Sequence, residues 1–195
     1  MTAIGYALFE TPLGWAAVAW SERGLYAVEL PVGSAEATEK RLCKLVPGAR
    51  AADPPAWAVD AMRAITAHLG GERVDLGAIP VDVERMPAFY RTVYEAARAI
   101  APGQTVTYGE LAARCGSPGA ARAVGQALAK NPVPVVVPCH RILAAGGAAG
   151  GFSAAGGLDT KARLLAIEGV SMRRAENLAF AFDDPPGSAD PKARK

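Results

Sequence analysis

A thiol and an imidazole stand side by side at Cys139 and His140, inside the run Pro138-Cys139-His140-Arg141. The chain holds three cysteines and two histidines, so this pairing draws on its scarcest reactive side chains. Cysteine attacks as the thiolate, and a nearby imidazole is the usual means of forming one near neutral pH. The apolar run Val133-Pro134-Val135-Val136-Val137 precedes the pair and predicts a buried strand that presents Cys139 at its end. Prolines at 134 and 138 remove amide donors and stop that strand at the cysteine. The competing reading is a buried structural cysteine followed by a surface His-Arg pair.

The elements upstream decide what such a nucleophile could meet. From Pro87 the pattern is helical, with Phe89, Val93, Ala97 and Ile100 on one face and Pro102-Gly103 as the stop. Thr107-Tyr108-Gly109-Glu110 is a capping box that starts a short helix through Leu111, Ala112 and Cys115, with Gly116 as its C-terminal glycine. Ser117-Pro118 then predicts an N-cap and first position for a second helix running to about Lys130, with Ala121, Val124 and Leu128 inward. Two short helices joined by a tight turn form the helix-turn-helix pattern, whose second helix enters a DNA groove. On it, Arg122 and Gln126 are i, i+4 neighbours facing outward, and Gly119 and Gly125 allow close backbone approach. A packed helical hairpin without DNA gives the same pattern.

Charge is distributed unevenly. Residues 1–84 carry 7 Lys/Arg against 11 Asp/Glu, whereas residues 85–174 carry 11 against 4. The basic segment coincides with the helix-turn-helix and favours a polyanion, although a solvated basic face needs no partner. The widely spaced Cys43, Cys115 and Cys139 lack zinc-site spacing and cannot all pair, which points to a reducing compartment. No apolar run approaches the ~20 residues that span a bilayer, and no signal peptide opens the chain. The expectation is a cytoplasmic, bacterial-type intracellular protein.

The remaining sequence reads as a small α/β unit over residues 1–84, a catalytic unit over 85–174 and a flexible tail over 175–195. In the first unit, Gly5–Phe9, Trp15–Trp20 and Leu25–Leu30 read as strands of an antiparallel sheet, parted by turns at Thr11-Pro12-Leu13-Gly14 and Glu22-Arg23-Gly24. Helices follow over about 34–45 and 56–69, the latter with Trp57, Ala61, Ile65 and Leu69 in register. A polar stretch to Glu84 reads as a linker. His68 reads as a surface or capping histidine, because no second ligand lies at helical spacing from it. Residues from Asn177, with Asp183-Asp184-Pro185-Pro186-Gly187-Ser188, have a disorder-like composition, and there are no internal repeats.

The stretch Gly103–Gly169 resembles the O6-alkylguanine-DNA alkyltransferases, or methylated-DNA–protein-cysteine methyltransferases. Thr107-Tyr108-Gly109-Glu110-Leu111-Ala112, Ala120-Ala121-Arg122-Ala123-Val124-Gly125, Asn131-Pro132-Val133-Pro134, Pro138-Cys139-His140-Arg141 and Leu164-Leu165-Ala166-Ile167-Glu168-Gly169 occur in the family's order at near-family spacing. The resemblance is strong over about 87–169 and weak before that. It implies a small α/β N-terminal domain followed by a mostly α, winged helix-turn-helix-like catalytic domain. It further implies a monomer that needs no cofactor and no metal, and whose partner is double-stranded DNA bearing O6-alkylguanine, with O4-alkylthymine as an additional lesion.

The resemblance also implies roles. Cys139 would displace the alkyl carbon from guanine O6 and keep it as a thioether, so each molecule acts once. His140 would accept the thiol proton through a bound water, which suits adjacent side chains on extended backbone, and Glu168 would orient His140. The target base must leave the duplex, at about a few kcal/mol. Arg122 would fill the resulting gap, and Tyr108 would swing the nucleotide out and bond the flipped guanine. Ala121, Gly125 and Gln126 would lie along the DNA, in the sequence-tolerant minor groove. Asn131 would tie the recognition helix to the active-site turn, and the Cys139 and Ile142 carbonyls would read the guanine amino group. Phe152 and Ser153 would line the pocket. One departure is the loop Gly151-Phe152-Ser153-Ala154-Ala155-Gly156-Gly157-Leu158, where Ala154-Ala155 read as an insertion and Phe152 stands in place of a frequent tyrosine.

Two other classes compete. A non-transferring alkylguanine-binding protein would flag the lesion for another pathway, although related proteins of that kind lack the cysteine. A cysteine hydrolase using Cys139 and His140 would need an oxyanion hole and would leave the helix-turn-helix unexplained.

Overall fold

Two tight turns and a run of small apolar residues build the sheet that opens the molecule. The computed structural model describes residues 3–171, so the tail expected from Asn177 lies outside the described residues. Strands β1 (Gly5–Thr11), β2 (Gly14–Ser21) and β3 (Gly24–Glu29) pair antiparallel, with Thr11 opposite Gly14 and Ser21 opposite Gly24. The Thr11 hydroxyl closes the first turn, donating to the Gly14 carbonyl (2.7 Å) and accepting from the Leu13 amide (3.2 Å). Helix α1 (Ala35–Leu45) covers one face, with Leu42 against Tyr6, Ala17, Ala19 and Ala27. Helix α2 (Ala56–Leu69) sends Ala61, Ile65 and Leu69 into the core shared with Val18, Leu25 and Val28 on the other. β2 is buried on both faces, which explains its Ala-Ala-Val-Ala sequence.

A fourth strand, β4 (Arg50–Ala51), pairs parallel to β1, so the sheet is mixed rather than antiparallel, in the order β3-β2-β1-β4. The α1 crossover permits the parallel pairing. Two exposed residues are too few for any alternation to announce them. The stretch before Glu84 is not a loose linker either. Leu76 and Ile79 are buried, and Leu25 exchanges hydrogen bonds with Pro80 and Asp82 at 2.9 Å each.

The second half is mostly helical: α3 (Ala88–Arg98), β5 (Val106–Thr107), α4 (Tyr108–Arg114), α5 (Ala121–Ala129), a 3-10 turn at Cys139–Arg141, β6 (Ile142–Leu143) and α6 (Gly157–Ile167). The expected capping box is present: the Thr107 hydroxyl accepts from the Glu110 amide (3.1 Å) and the Glu110 carboxylate accepts from the Thr107 amide (2.6 Å). α5 begins at Ala121 and not at Ser117, because Ser117–Ala120 close a separate turn through the Ala120 amide and Ser117 carbonyl (3.0 Å). β5 and β6 pair parallel, placing the 3-10 turn beside the start of α4. The apolar core runs through both halves, joining Val18 and Ile65 to Val93, Val124 and Val137. The Val28 amide donates to the Pro132 carbonyl at 2.8 Å, so the first sheet is bonded directly to the segment that leads to Cys139.

Candidate active site

The valines before Cys139 are buried as expected, but they form a tight turn and not a strand. Pro134 and Pro138 cannot donate to a ladder, so the chain folds back, with Val137 N–H bonded to the Val133 carbonyl at 2.9 Å. Val135 takes φ +74°, a conformation that a β-branched residue adopts at about 1–3 kcal/mol of strain. Asn131 fastens this turn. Its Oδ1 accepts from the Val133 amide (3.0 Å), and its Nδ2 donates to the Val137 carbonyl (2.9 Å) and to Cys139 Sγ (3.3 Å).

Cys139 opens the 3-10 turn and is 6% exposed. Burial pushes its thiol above the ordinary value. The Asn131 amide, the Lys161 ammonium and the main-chain amides of Cys139 and His140 oppose that shift by favouring the thiolate. Lys161 is fully buried on the inner face of α6, and its Nζ donates to the carbonyls of Ile142 (2.5 Å) and Gly151 (3.3 Å). Burial lowers its pKa to about 8. This residue was missed in the sequence, although Lys161 stands at i−3 and i−4 from the buried Leu164 and Leu165.

Behind the sulfur lies a second cluster around Glu168, which caps the C-terminus of α6. His140 Nε2 is 2.9 Å from Glu168 Oε1, with both side chains at most 1% exposed. A carboxylate at this distance only accepts, so Nε2 carries the proton and Nδ1 keeps a lone pair. That Nδ1 is buried and has no partner among the described residues. Burial lowers the His140 pKa, opposed by Glu168 and reinforced by Arg141 and His68. Arg141 grips Glu168 with Nε at 3.1 and 3.0 Å from the two oxygens and Nη2 at 2.7 Å from Oε1, and the Gly103 amide donates to Oε2 at 3.2 Å. Burial alone would raise the Glu168 pKa, but the contacts from His140, His68 and Arg141 hold its carboxyl far below the usual range.

His68 is the clearest departure from expectation. It is neither a surface nor a helix-capping residue: its side chain is 2% exposed and its Nε2 stands 3.1 Å from Glu168 Oε1. Periodicity held the signal, since His68 lies three residues after Ile65 and seven after Ala61, on the inward face of α2. Donor atoms of His68, His140 and Glu168 lie within 4.8 Å of one another, a spacing that a metal ion could bridge. The Arg141 guanidinium already supplies a cation at the same carboxylate oxygen.

On the open side, Cys139 lines a cavity of about 240 Å³ with Tyr108, Gly125, Leu128, Ala129, Gly151, Phe152 and Ser153. This lies just below the ~300–1,000 Å³ typical of drug-sized ligands. Tyr108, at the start of α4, donates to the Gly151 carbonyl at 3.4 Å, and burial raises its pKa, which keeps the hydroxyl protonated. Gly150 has φ +63°, and a Cβ there would fall 2.8 Å from the Tyr108 ring. Arg122 and Gln126 are exposed on α5 and Ala121 is half-buried at its first turn, all three outside the cavity wall. The Cys139 carbonyl accepts from the Ile142 amide, and the Ile142 carbonyl accepts from Lys161 Nζ.

The description "6-O-methylguanine DNA methyltransferase, DNA binding domain" belongs to the family model that matches residues 88–170. A methylated-DNA–protein-cysteine methyltransferase of Methanosarcina acetivorans is 36% identical over 172 residues, covering 84% of this chain and 97% of that relative. Its namesake in Mus musculus is 35% identical over 175 residues, covering 85% and 81%. The Mycobacterium tuberculosis OGT, solved in complex with DNA, superposes with a TM-score of 0.65 at 30% identity, covering 85% of this chain and 93% of that one. Among the described residues, no helix is long and apolar enough to cross a membrane.

Proposed function

The chain belongs to the 6-O-methylguanine DNA methyltransferase family, and we propose that it repairs DNA directly, moving an alkyl group from guanine O6 onto Cys139 Sγ once per molecule. One observation carries this reading above the others. A buried thiol forms the wall of a base-sized cavity, with a neutral, carboxylate-anchored imidazole next to it in sequence.

His140 Nδ1, the free lone pair, takes the thiol proton through one bridging water. The sulfur lone pair then attacks the alkyl carbon, a thioether C–S bond forms, and the C–O6 bond breaks with its electrons passing to the purine. An equivalent proton reaches the departing guanine at the edge faced by the Tyr108 hydroxyl. Asn131 and Lys161 stabilise the thiolate that burial disfavours. The thioether cannot be hydrolysed under these conditions, so Cys139 is consumed.

Reaching the cavity requires the nucleotide to leave the duplex, at about a few kcal/mol. We assign α4 and α5 to a winged helix-turn-helix-like unit that lies along duplex DNA, with Ala121, Gly125 and Gln126 at the interface and Arg122 filling the vacated stack. The basic balance of residues 85–174 supports that assignment. Ile142, Phe152 and Ser153 complete the base pocket. Every group in this scheme comes from one chain, which suits action as a monomer.

The test is the mass of the intact protein after incubation with a duplex containing O6-methylguanine. The reading predicts a gain of one methyl group per molecule, absent in Cys139→Ala. Unmodified protein that still holds the lesion would point instead to a non-transferring binder, and repeated turnover on an ester or peptide to a hydrolase.

A further inference from the structure

Glu168 Oε1 is the meeting point of three nitrogens from two parts of the chain. His140 Nε2 approaches at 2.9 Å, Arg141 Nη2 at 2.7 Å and His68 Nε2 at 3.1 Å. The first two belong to the motif around Cys139, whereas His68 arrives from the last turn of α2 in the N-terminal half. Among the described residues, neither nitrogen of the His68 ring makes an aligned hydrogen bond, although both are buried. A polar ring enclosed in this way is costly unless it serves the carboxylate it faces.

We propose that His68 is a positioning residue for alkyl transfer: it shares Glu168 Oε1 with His140 and thereby sets how strongly the carboxylate holds the base. This rests on the reading of His140 as the proton acceptor for Cys139. The electrostatics follow from the arrangement. The groups facing His140 are Glu168 of α6, Arg141 of its own turn, and His68 of α2. Glu168 favours the imidazolium, while Arg141 and His68 disfavour it. With the His68 dipole gone, Oε1 would turn its full charge on His140 and raise the basicity of that ring. More of His140 would then already be protonated at mildly acidic pH and unable to accept the thiol proton. The N-terminal half, on this account, tunes the site as well as bracing it.

The chain's two histidines make a direct test practicable. Single-turnover methyl transfer from duplex O6-methylguanine is followed against pH for the native protein, His68→Phe and His68→Gln. The Phe variant keeps an aromatic ring and loses the donor, and the Gln variant restores a donor near the Nε2 position. His68→Phe should move the acid limb of the profile to higher pH, slowing transfer on that limb about tenfold for each unit of displacement. His68→Gln should return the limb to its native place. Superimposed profiles for the native and Phe proteins, or a Gln variant displaced as far as Phe, overturn the proposal.

Should His68→Phe fail to fold, nitrogen-15 imidazole spectra of the native protein decide. Protons on Nε2 of both rings are expected, and a proton on His68 Nδ1 refutes the shared-oxygen arrangement. Absence of any methyl transfer by the native protein would instead overturn the assignment of the reaction itself.

Discussion

Replacing Glu168 by glutamine changes one oxygen to an NH2 group and removes one charge, yet the structure predicts a severe effect. In the native protein the two oxygens face His140 Nε2, three contacts from Arg141, the Gly103 amide and His68. A glutamine amide placed at Oε1 points donors at His140 and Arg141, and placed at Oε2 it meets the Gly103 amide and Arg141 Nε. Either rotamer leaves Arg141, 5% exposed, without its counter-charge. Removing one partner of a buried pair costs about 3–5 kcal/mol. At about 2–4 °C per kcal/mol for a chain of this size, Tm should fall by roughly 6–20 °C. Transfer should slow by about 100-fold or more, since the base loses its anchor. The pH dependence sharpens the test. The folded carboxyl titrates below its ordinary value, so its contribution is complete above the unfolded value of about 4.3 and fades as pH falls below that. The gap in Tm between native and Glu168→Gln proteins, measured by calorimetry, should therefore narrow below about pH 4. A loss of less than about 2 °C near neutral pH, or a gap that stays constant into acid, would refute the reasoning.

Asn131→Ala removes the bonds to Val133, Val137 and Cys139. It should cost about 1–3 kcal/mol in urea unfolding and raise the pH midpoint of Cys139 reactivity with iodoacetamide, and an unmoved midpoint contradicts the role of the amide. Lys161→Met should raise the same midpoint, because it removes the buried ammonium that favours the thiolate. In the native protein that support should weaken above about pH 8, where Lys161 loses its proton, and a variant whose titration overlays the native one excludes the effect. Arg122→Ala should weaken binding to undamaged duplex and reduce the slope of log affinity against log salt if Arg122 pairs with phosphate, by about 0.9. An Arg122 that only fills the base stack would leave the slope unchanged while slowing transfer.

Local signals in the sequence were reliable where a few adjacent residues settle the structure. The capping box at Thr107 and Glu110, the hairpin turns before Gly14 and Gly24, and the inward face of α2 follow from nearest neighbours. Val133–Val137 misled because apolar composition reports burial and not backbone path. Two prolines and the Asn131 side chain supply an alternative to strand pairing that no periodicity reveals. β4 was too short to register, and its parallel partner lies across a helix. The buried charged groups behind the cavity are partly legible: Glu168 belongs to the motif at the end of α6, whereas Lys161 and His68 are polar residues on apolar faces. Such residues are normally dismissed as exposed, and only tertiary packing shows them turned inward, Lys161 toward the Ile142 carbonyl and His68 toward the Glu168 carboxylate.

The central claim is that Cys139 is an acceptor consumed by its reaction. The most direct measurement is peptide mapping by mass spectrometry after successive equivalents of duplex O6-methylguanine. The account predicts methylation on the peptide carrying Cys139, rising to one group per protein and then stopping, with unrepaired lesion left over. Methyl groups on Cys43 or Cys115, or lesion repair that continues after every Cys139 is occupied, would contradict it.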